Sequence, residues 1–309
     1  MRATIVVRRT VAGDARMGWF RASPPGENMM DTIAEVPVAE ADAATRAIYQ
    51  RIMQHSGTGT PALIFRHFAV HPGFLDWTWH AVGGEIESGR ALRHAMDAVA
   101  RAPRAELPAI GATELAGAGI DAGARRTLDA ILTNYNRMNP MNYGLIAAIR
   151  QLISEQDAGA KGDPLAFAEG GAVPAPCPAL PPPADVRDLP DDLRETLTAL
   201  SAAIPDSGVQ VVPTLYRHLA IWPDLLRLVA PGILAAMARG EIAARMAGLR
   251  AELAPLVASA TARVRAKSLP PPPLEAPDRM VRTLDSFLFA IPQMIVVGEA
   301  LEASMPPGA

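Results

Sequence analysis

The chain has 309 residues, half of them apolar and only 5% aromatic, with 29 Lys and Arg against 32 Asp and Glu for a formal charge of -3. Interspersed signs and a slight acidic excess exclude the basic stripe that a nucleic-acid partner needs, and a single cysteine, Cys177, excludes a disulfide framework, a CxxC redox pair and a cysteine zinc site. The best apolar run, around Phe287 to Val297, is broken by Pro292 and Gln293 and falls short of the roughly 18 residues of a membrane span. These features predict an intracellular, cytoplasmic protein with neither a membrane nor a nucleic acid as partner.

Residues 1–34 show little periodicity, have no signal-type apolar segment behind Arg8 and Arg9, and read as a disordered or spurious extension. From Glu40 to His55 apolar residues fall at helical spacing, with Glu40 and Asp42 in the first turn, and Ser56 to Thr60 (SGTGT) ends the helix. A second helix is expected over Pro61 to Val70, and His71-Pro72-Gly73 separates it from a third over Phe74 to Val82, which Gly83-Gly84 should end. Ala-rich helices are expected next over 90–103 and 106–117, then a long one from Arg125 to Ile153. Residues 155–187 lose all periodicity in favour of Pro, Gly and Ala, including PAPCPALPPPAD, and read as a linker, partly extended in polyproline fashion.

The segment after the linker repeats the segment before it. Arg66-His67-Phe68-Ala69 recurs as Arg217-His218-Leu219-Ala220 and Pro72 as Pro223, at an offset of 151. Gly84-Glu85-Ile86 recurs as Gly240-Glu241-Ile242 and Arg126-Thr127-Leu128-Asp129 as Arg282-Thr283-Leu284-Asp285, at an offset of 156. Anchors that keep order and nearly keep spacing predict an all-α fold made of two tandem helical repeats, 35–154 and 188–303, joined by the linker and ending in a tail at 304–309. The expected assembly is a pseudo-dimer with its site where the halves meet.

The stretch NYNRMNPMNYG, residues 134–144, is the candidate site. Pro140 inside a helix frees the carbonyl of Asn136, and positions 136, 139 and 143 recur at three and four residues, which places Asn136 and Asn139 on one stripe. At the 156 offset Asn136 faces Pro292, Asn139 faces Ile295 and Asn142 faces Gly298. The second half does without these amides, so a task explains them better than folding does.

Other constellations carry less. His67 and His71 stand at i and i+4 with no acid between them and read as structural rather than as metal ligands. Gly57-Thr58-Gly59 lacks the third glycine and the strand of a dinucleotide fingerprint, and neither a GxSxG elbow nor a GKT or GKS loop is present. Arg66 and Arg217 could clasp a carboxylate, although surface pairing or capping is the commoner role. Trp77 and Trp79 read as packing residues. No metal and no cofactor is expected.

Tyr49 with Ile52, Arg66, His71-Pro72-Gly73-Phe74, the NxxNP pattern from Asn136 to Pro140 and Leu219-Ala220-Ile221-Trp222-Pro223 together resemble the group I 2-haloacid dehalogenases, also catalogued as halocarboxylic acid dehydrogenases. The resemblance spans most of residues 40–303. It implies an all-helical pseudo-dimer that hydrolyses small 2-haloalkanoic acids with water activated by an aspartate and held by an asparagine. The asparagine carries over onto Asn139. The aspartate does not, because the family's Ser-Asp pair falls on Thr214-Leu215, and two aromatic pocket positions fall on Thr60 and Leu63. Asp206 is the nearest acid on the N-terminal side, within reach only if its loop folds back.

Three readings therefore stay open. One is a dehalogenase-like hydrolase with Asn139 as its catalytic residue and Asn136, Thr214, Leu215, Thr60 and Leu63 around the substrate. Another is a homologue that binds a small carboxylic acid or apolar metabolite without that chemistry. The third is a purely structural protein, which a cavity lined by Asn139 and Thr214 would argue against. A small-molecule substrate is the expected partner, and homodimerisation stays open.

Overall fold

The computed structural model describes residues 33–154, 174–203 and 210–307. The extension over 1–32, the first part of the linker (155–173) and Asp206 lie outside the described residues. The architecture is all-α, as the helical periodicity predicts. In chain order the helices are α1 (Ala43–Ser56), α2 (Leu63–Phe68), α3 (Phe74–Glu87), α4 (Arg90–Arg101), α5 (Ala112–Gly117), α6 (Ala122–Ser154), α7 (Asp191–Leu200), α8 (Thr214–Leu219), α9 (Pro223–Ala238), α10 (Glu241–Arg265) and α11 (Pro277–Ser304). Two-residue strands, Ala202–Ala203 and Gln210–Val211, form a short antiparallel pair that matches Ala202 with Val211 and Ala203 with Gln210.

Local chemistry sets the helix limits. The Asp42 carboxylate accepts from the Thr45 amide at 2.7 Å to start α1, and Gly57, with φ of 64°, ends it by returning its amide to the Met53 carbonyl. Gly73 (φ 73°) makes the break between α2 and α3 that His71-Pro72-Gly73 predicts. Two expectations need correction. Helix α3 does not stop at Gly83-Gly84 but runs to Glu87: neither glycine takes a positive φ, and Gly83 makes room for the Trp79 ring rather than a turn. The predicted helix over 106–117 is helical only from Ala112, since Pro108 has no amide to give to a helix and Glu114 caps the Gly111 amide at 2.7 Å.

Helix α6, 33 residues and so about 50 Å long at 1.5 Å per residue, is the axis of the molecule, with α4, α10 and α11 packed against it. Both α6 and α11 carry a buried proline, Pro140 and Pro292, and each removes one amide from its helix, freeing the carbonyls of Asn136 and Leu288. Helix α11 is long and apolar enough to cross a membrane, yet 72% of its most apolar window is buried against the rest of the chain. It is the partner of α6 in the core, with Ile291, Ile295, Val297 and Leu301 at 2% exposure or less.

The short helices α2 and α8 are treated alike by the chain. Each is six residues long, and an extended segment lies against each: Val36 donates its amide to the Arg66 carbonyl at 3.0 Å, and Ala184 donates to the Arg217 carbonyl at 3.1 Å. The two segments bring Glu35 and residues 180–183 to the edge of one cavity.

Candidate functional site

Where α2, α6, α8 and α11 converge there is a cavity of about 340 Å³, room for a small organic molecule rather than a few waters. Helix α6 supplies a polar wall of Asn134, Tyr135, Met138, Asn139 and Asn142, and α11 supplies an apolar wall of Phe287, Ile291 and Met294. Thr60, Leu63 and Arg66 close one end, Thr214 and His218 another, and Leu180 to Pro183 form the roof.

Of the residues singled out from the sequence, Asn139, Thr60, Leu63 and Thr214 meet here. The other two do not. Asn136 is turned toward α11, donating to Glu302 Oε2 at 2.9 Å and filling the space that a side chain at position 298 would need, which explains Gly298. The α6 positions facing the cavity are 134, 135, 138, 139 and 142, not 136, 139 and 143, because Asn136 is drawn to Glu302 and Gly298 on α11. Leu215 has no exposed surface and packs in the core outside the lining.

Asn134, Asn139 and Asn142 are all buried, and one amide atom of each (Oδ1, Nδ2 and Oδ1 respectively) has no hydrogen-bond partner among the described residues. A 180° turn of any of these amides exchanges oxygen and nitrogen. A buried polar atom without a partner costs about 1–3 kcal/mol, so three on one wall is a standing cost that a bound molecule or water would relieve.

Two residues that sequence reasoning passed over complete the wall. His218 sets Nε2 2.9 Å from the Pro181 carbonyl oxygen, and this ring nitrogen must therefore carry the proton. Nδ1 is left as an acceptor, and the Tyr135 hydroxyl donates to it at 2.8 Å. Burial holds His218 below the usual imidazole range, against the pull of the Pro181 and Thr214 carbonyls and with help from the Arg217 and Arg66 charges. Burial also drives the Tyr135 phenol well above its usual range. The repeat comparison contained the signal: Tyr135 faces Ile291 at the 156 offset, another polar residue that the second half does without.

Arg66, also in the lining, sets Nη1 2.7 Å from Glu35 Oε2, so the carboxylate at the cavity is paired with a guanidinium, whose buried Nε has no hydrogen-bond partner among the described residues. His67 and His71 stack edge to face, His67 Nδ1 faces the Ala34 carbonyl at 2.8 Å, and no group of three metal-ligating side chains occurs among the described residues.

The roof is anchored by the SGTGT turn. The Cys177 amide donates to the Gly57 carbonyl at 2.8 Å, and Arg137 Nη1 reaches both that carbonyl and the Ala175 carbonyl at 2.8 Å. Gly59 has the backbone of Pro178 and Ala179 directly over it. The latter part of the proline-rich linker is thus a wall of the cavity as well as a connection.

Comparison with solved structures finds the same arrangement of helices elsewhere. A D-2-haloacid dehalogenase mutant in complex with D-2-CPA superposes with a TM-score of 0.65 at 16% identity, covering 88% of this chain and 96% of that one. The D-2-haloacid dehalogenase in complex with L-LA gives the same values. The chain is haloacid-dehalogenase-like in fold. A further mutant of a D-2-haloacid dehalogenase gives 0.63 at 15% identity over the same coverage. No protein-family model and no curated protein matches the chain.

Proposed function

We propose that this dehalogenase-like protein hydrolyses small 2-substituted carboxylic acids, of which 2-haloacids are the type, in the cavity beside α6. The observation that carries the reading is the division of that cavity into a wall of buried amides with unpaired atoms and an apolar wall facing it. A short acid with a polar head and an alkyl or halogen substituent has the matching polarity. Asn139 holds the water or the substrate, and Thr60, Leu63 and Thr214 border the bound molecule. Asn136 and Leu215 act from behind the wall. The near-equal spacing of the two halves supports a duplicated unit, with the cavity lying between residues of both.

Halide release from each enantiomer of 2-chloropropionate and 2-bromopropionate tests the reading. Asn139→Ala is expected to lower kcat/KM by about 100-fold while the helical circular dichroism stays unchanged, in line with the loss of one positioned polar group at a reacting centre. Unaltered turnover in that variant would remove Asn139 from the reaction.

One observation favours a second reading, that the cavity binds such an acid without turning it over. Position 215 carries a buried Leu in place of the aspartate that the resemblance implies, and Glu35 is tied to Arg66. On this reading lactate or 2-chloropropionate raises Tm with no halide released.

A further inference from the structure

If hydrolysis occurs here, some group must take the proton of the attacking water, and neither Leu215 nor the paired Glu35 is suited to do so. We infer that Tyr135 and His218 form a proton relay, Tyr135 receiving the proton of a water held beside Asn139 while passing its own phenolic proton to His218 Nδ1. This rests on the hydrolytic reading proposed above.

Three features of the site support it. The first is direction. The Pro181 carbonyl fixes the imidazole so that Nδ1 has a lone pair aimed at the Tyr135 hydroxyl, 2.8 Å away. The second is reach. Tyr135 and Asn139 are one turn apart on the same helix face, close enough for one water to touch both, and both border the cavity. The third is asymmetry. His67, the counterpart of His218, faces the Ala34 carbonyl with one nitrogen and His71 with the other, 3.5 Å away, and the counterpart of Tyr135 is Ile291. The phenol of the first half and the imidazole of the second make a pair that their counterparts, Ile291 and His67, cannot make.

The step balances without any further reagent. The water oxygen forms a bond to C2 of the acid, the bond from C2 to the halogen breaks, and its electron pair leaves as halide. One water proton moves to Tyr135 Oη as the phenolic proton moves to His218 Nδ1. The product is the 2-hydroxy acid, and the imidazolium, held by the Pro181 carbonyl, later releases its proton to solvent. Because both transfers are coupled, no free phenolate forms, and the high pKa that burial gives the phenol does not block the step. The groups facing His218 are Tyr135 from α6, Arg217 from its own helix, Thr214 through its carbonyl and Arg66 from α2, the last tied to Glu35.

The test is halide release from 2-bromopropionate by the full chain and by Tyr135→Phe and His218→Gln, across pH 5 to 9. The relay predicts a loss in kcat of about 100-fold or more in both variants with KM within about threefold. It also predicts an acid limb in the unmodified protein below the ordinary histidine value of about 6.5, and no such limb in His218→Gln. Turnover in the unmodified protein with either variant retaining more than half of it overturns the relay and leaves the hydrolytic reading standing. No turnover in the unmodified protein overturns both. Should Tyr135→Phe or His218→Gln fail to fold, Tyr135→Leu or His218→Asn takes its place under the same criterion.

Discussion

Gly59→Ala is expected to destabilise the fold by roughly 1–3 kcal/mol, the range for an added methyl group that has no space, and to abolish ligand-induced stabilisation. The new Cβ would meet the Pro178 carbonyl oxygen and lie 2.6 Å from the Pro178 carbonyl carbon and 2.7 Å from Ala179 Cα. These are backbone atoms, so no rotamer change relieves the contact, and the segment must lift. Lifting it raises Leu180 to Pro183, which roof the cavity. Thermal melts with and without 2-chloropropionate read both effects. Gly84→Ala is the control: that glycine lies on an exposed face of α3 with no atom within 4 Å of the added carbon, so alanine should stabilise by about 0.5–1 kcal/mol. Equal melting temperatures for Gly59→Ala and the parent would show that the roof is not seated on this turn.

The second large effect concerns Leu215→Asp. By sequence comparison alone this is the obvious way to restore an acid to the site, with halide release expected to appear or rise. Burial changes that expectation. Leu215 has no exposed surface and does not line the cavity, so the substitution deletes a core side chain, at about 2–5 kcal/mol, and places a carboxyl among apolar neighbours. Such burial raises the folded-state pKa of the carboxyl, so the charge penalty grows as pH climbs above the unfolded carboxylate value of about 4. The penalty shrinks as pH falls and is lost below that value, where both states are protonated. Urea midpoints at pH 7 and pH 4.5 should therefore differ more from the parent at pH 7. A variant of parental stability that releases halide would mean the side chain turns into the cavity.

The helices are legible in the sequence because their apolar residues repeat at helical spacing over long stretches, and the amide-rich stretch stands out because its counterpart in the second half is apolar. The face it presents is not legible to better than one residue. Whether Asn136 or Tyr135 borders the cavity depends on how α6 is rotated against α11, and Gly298, which admits Asn136, lies far along the chain. His218 gives no signal for a related reason: as part of an Arg-His pair present in both halves it reads as scaffold, and only its contact with Tyr135, 83 positions away, sets it apart. The glycines of SGTGT read as a helix stop, which they are. Their second role, seating residues 174–179, is invisible without the fold because the linker has no period to align.

The roof also decides which way round a ligand lies. Pro181, Pro182 and Pro183 have no amide hydrogen, and the Pro181 carbonyl is already taken by His218. At these three positions an anion therefore meets ring carbons and carbonyl oxygens and finds no donor. On the hydrolytic reading proposed above, a carboxylate would turn down toward the amides of α6 and the Arg66 guanidinium, whose buried Nε has no hydrogen-bond partner among the described residues, leaving the substituent against α11 and the prolines. Orientation in this cavity is set by the donors one wall lacks as much as by those the other provides.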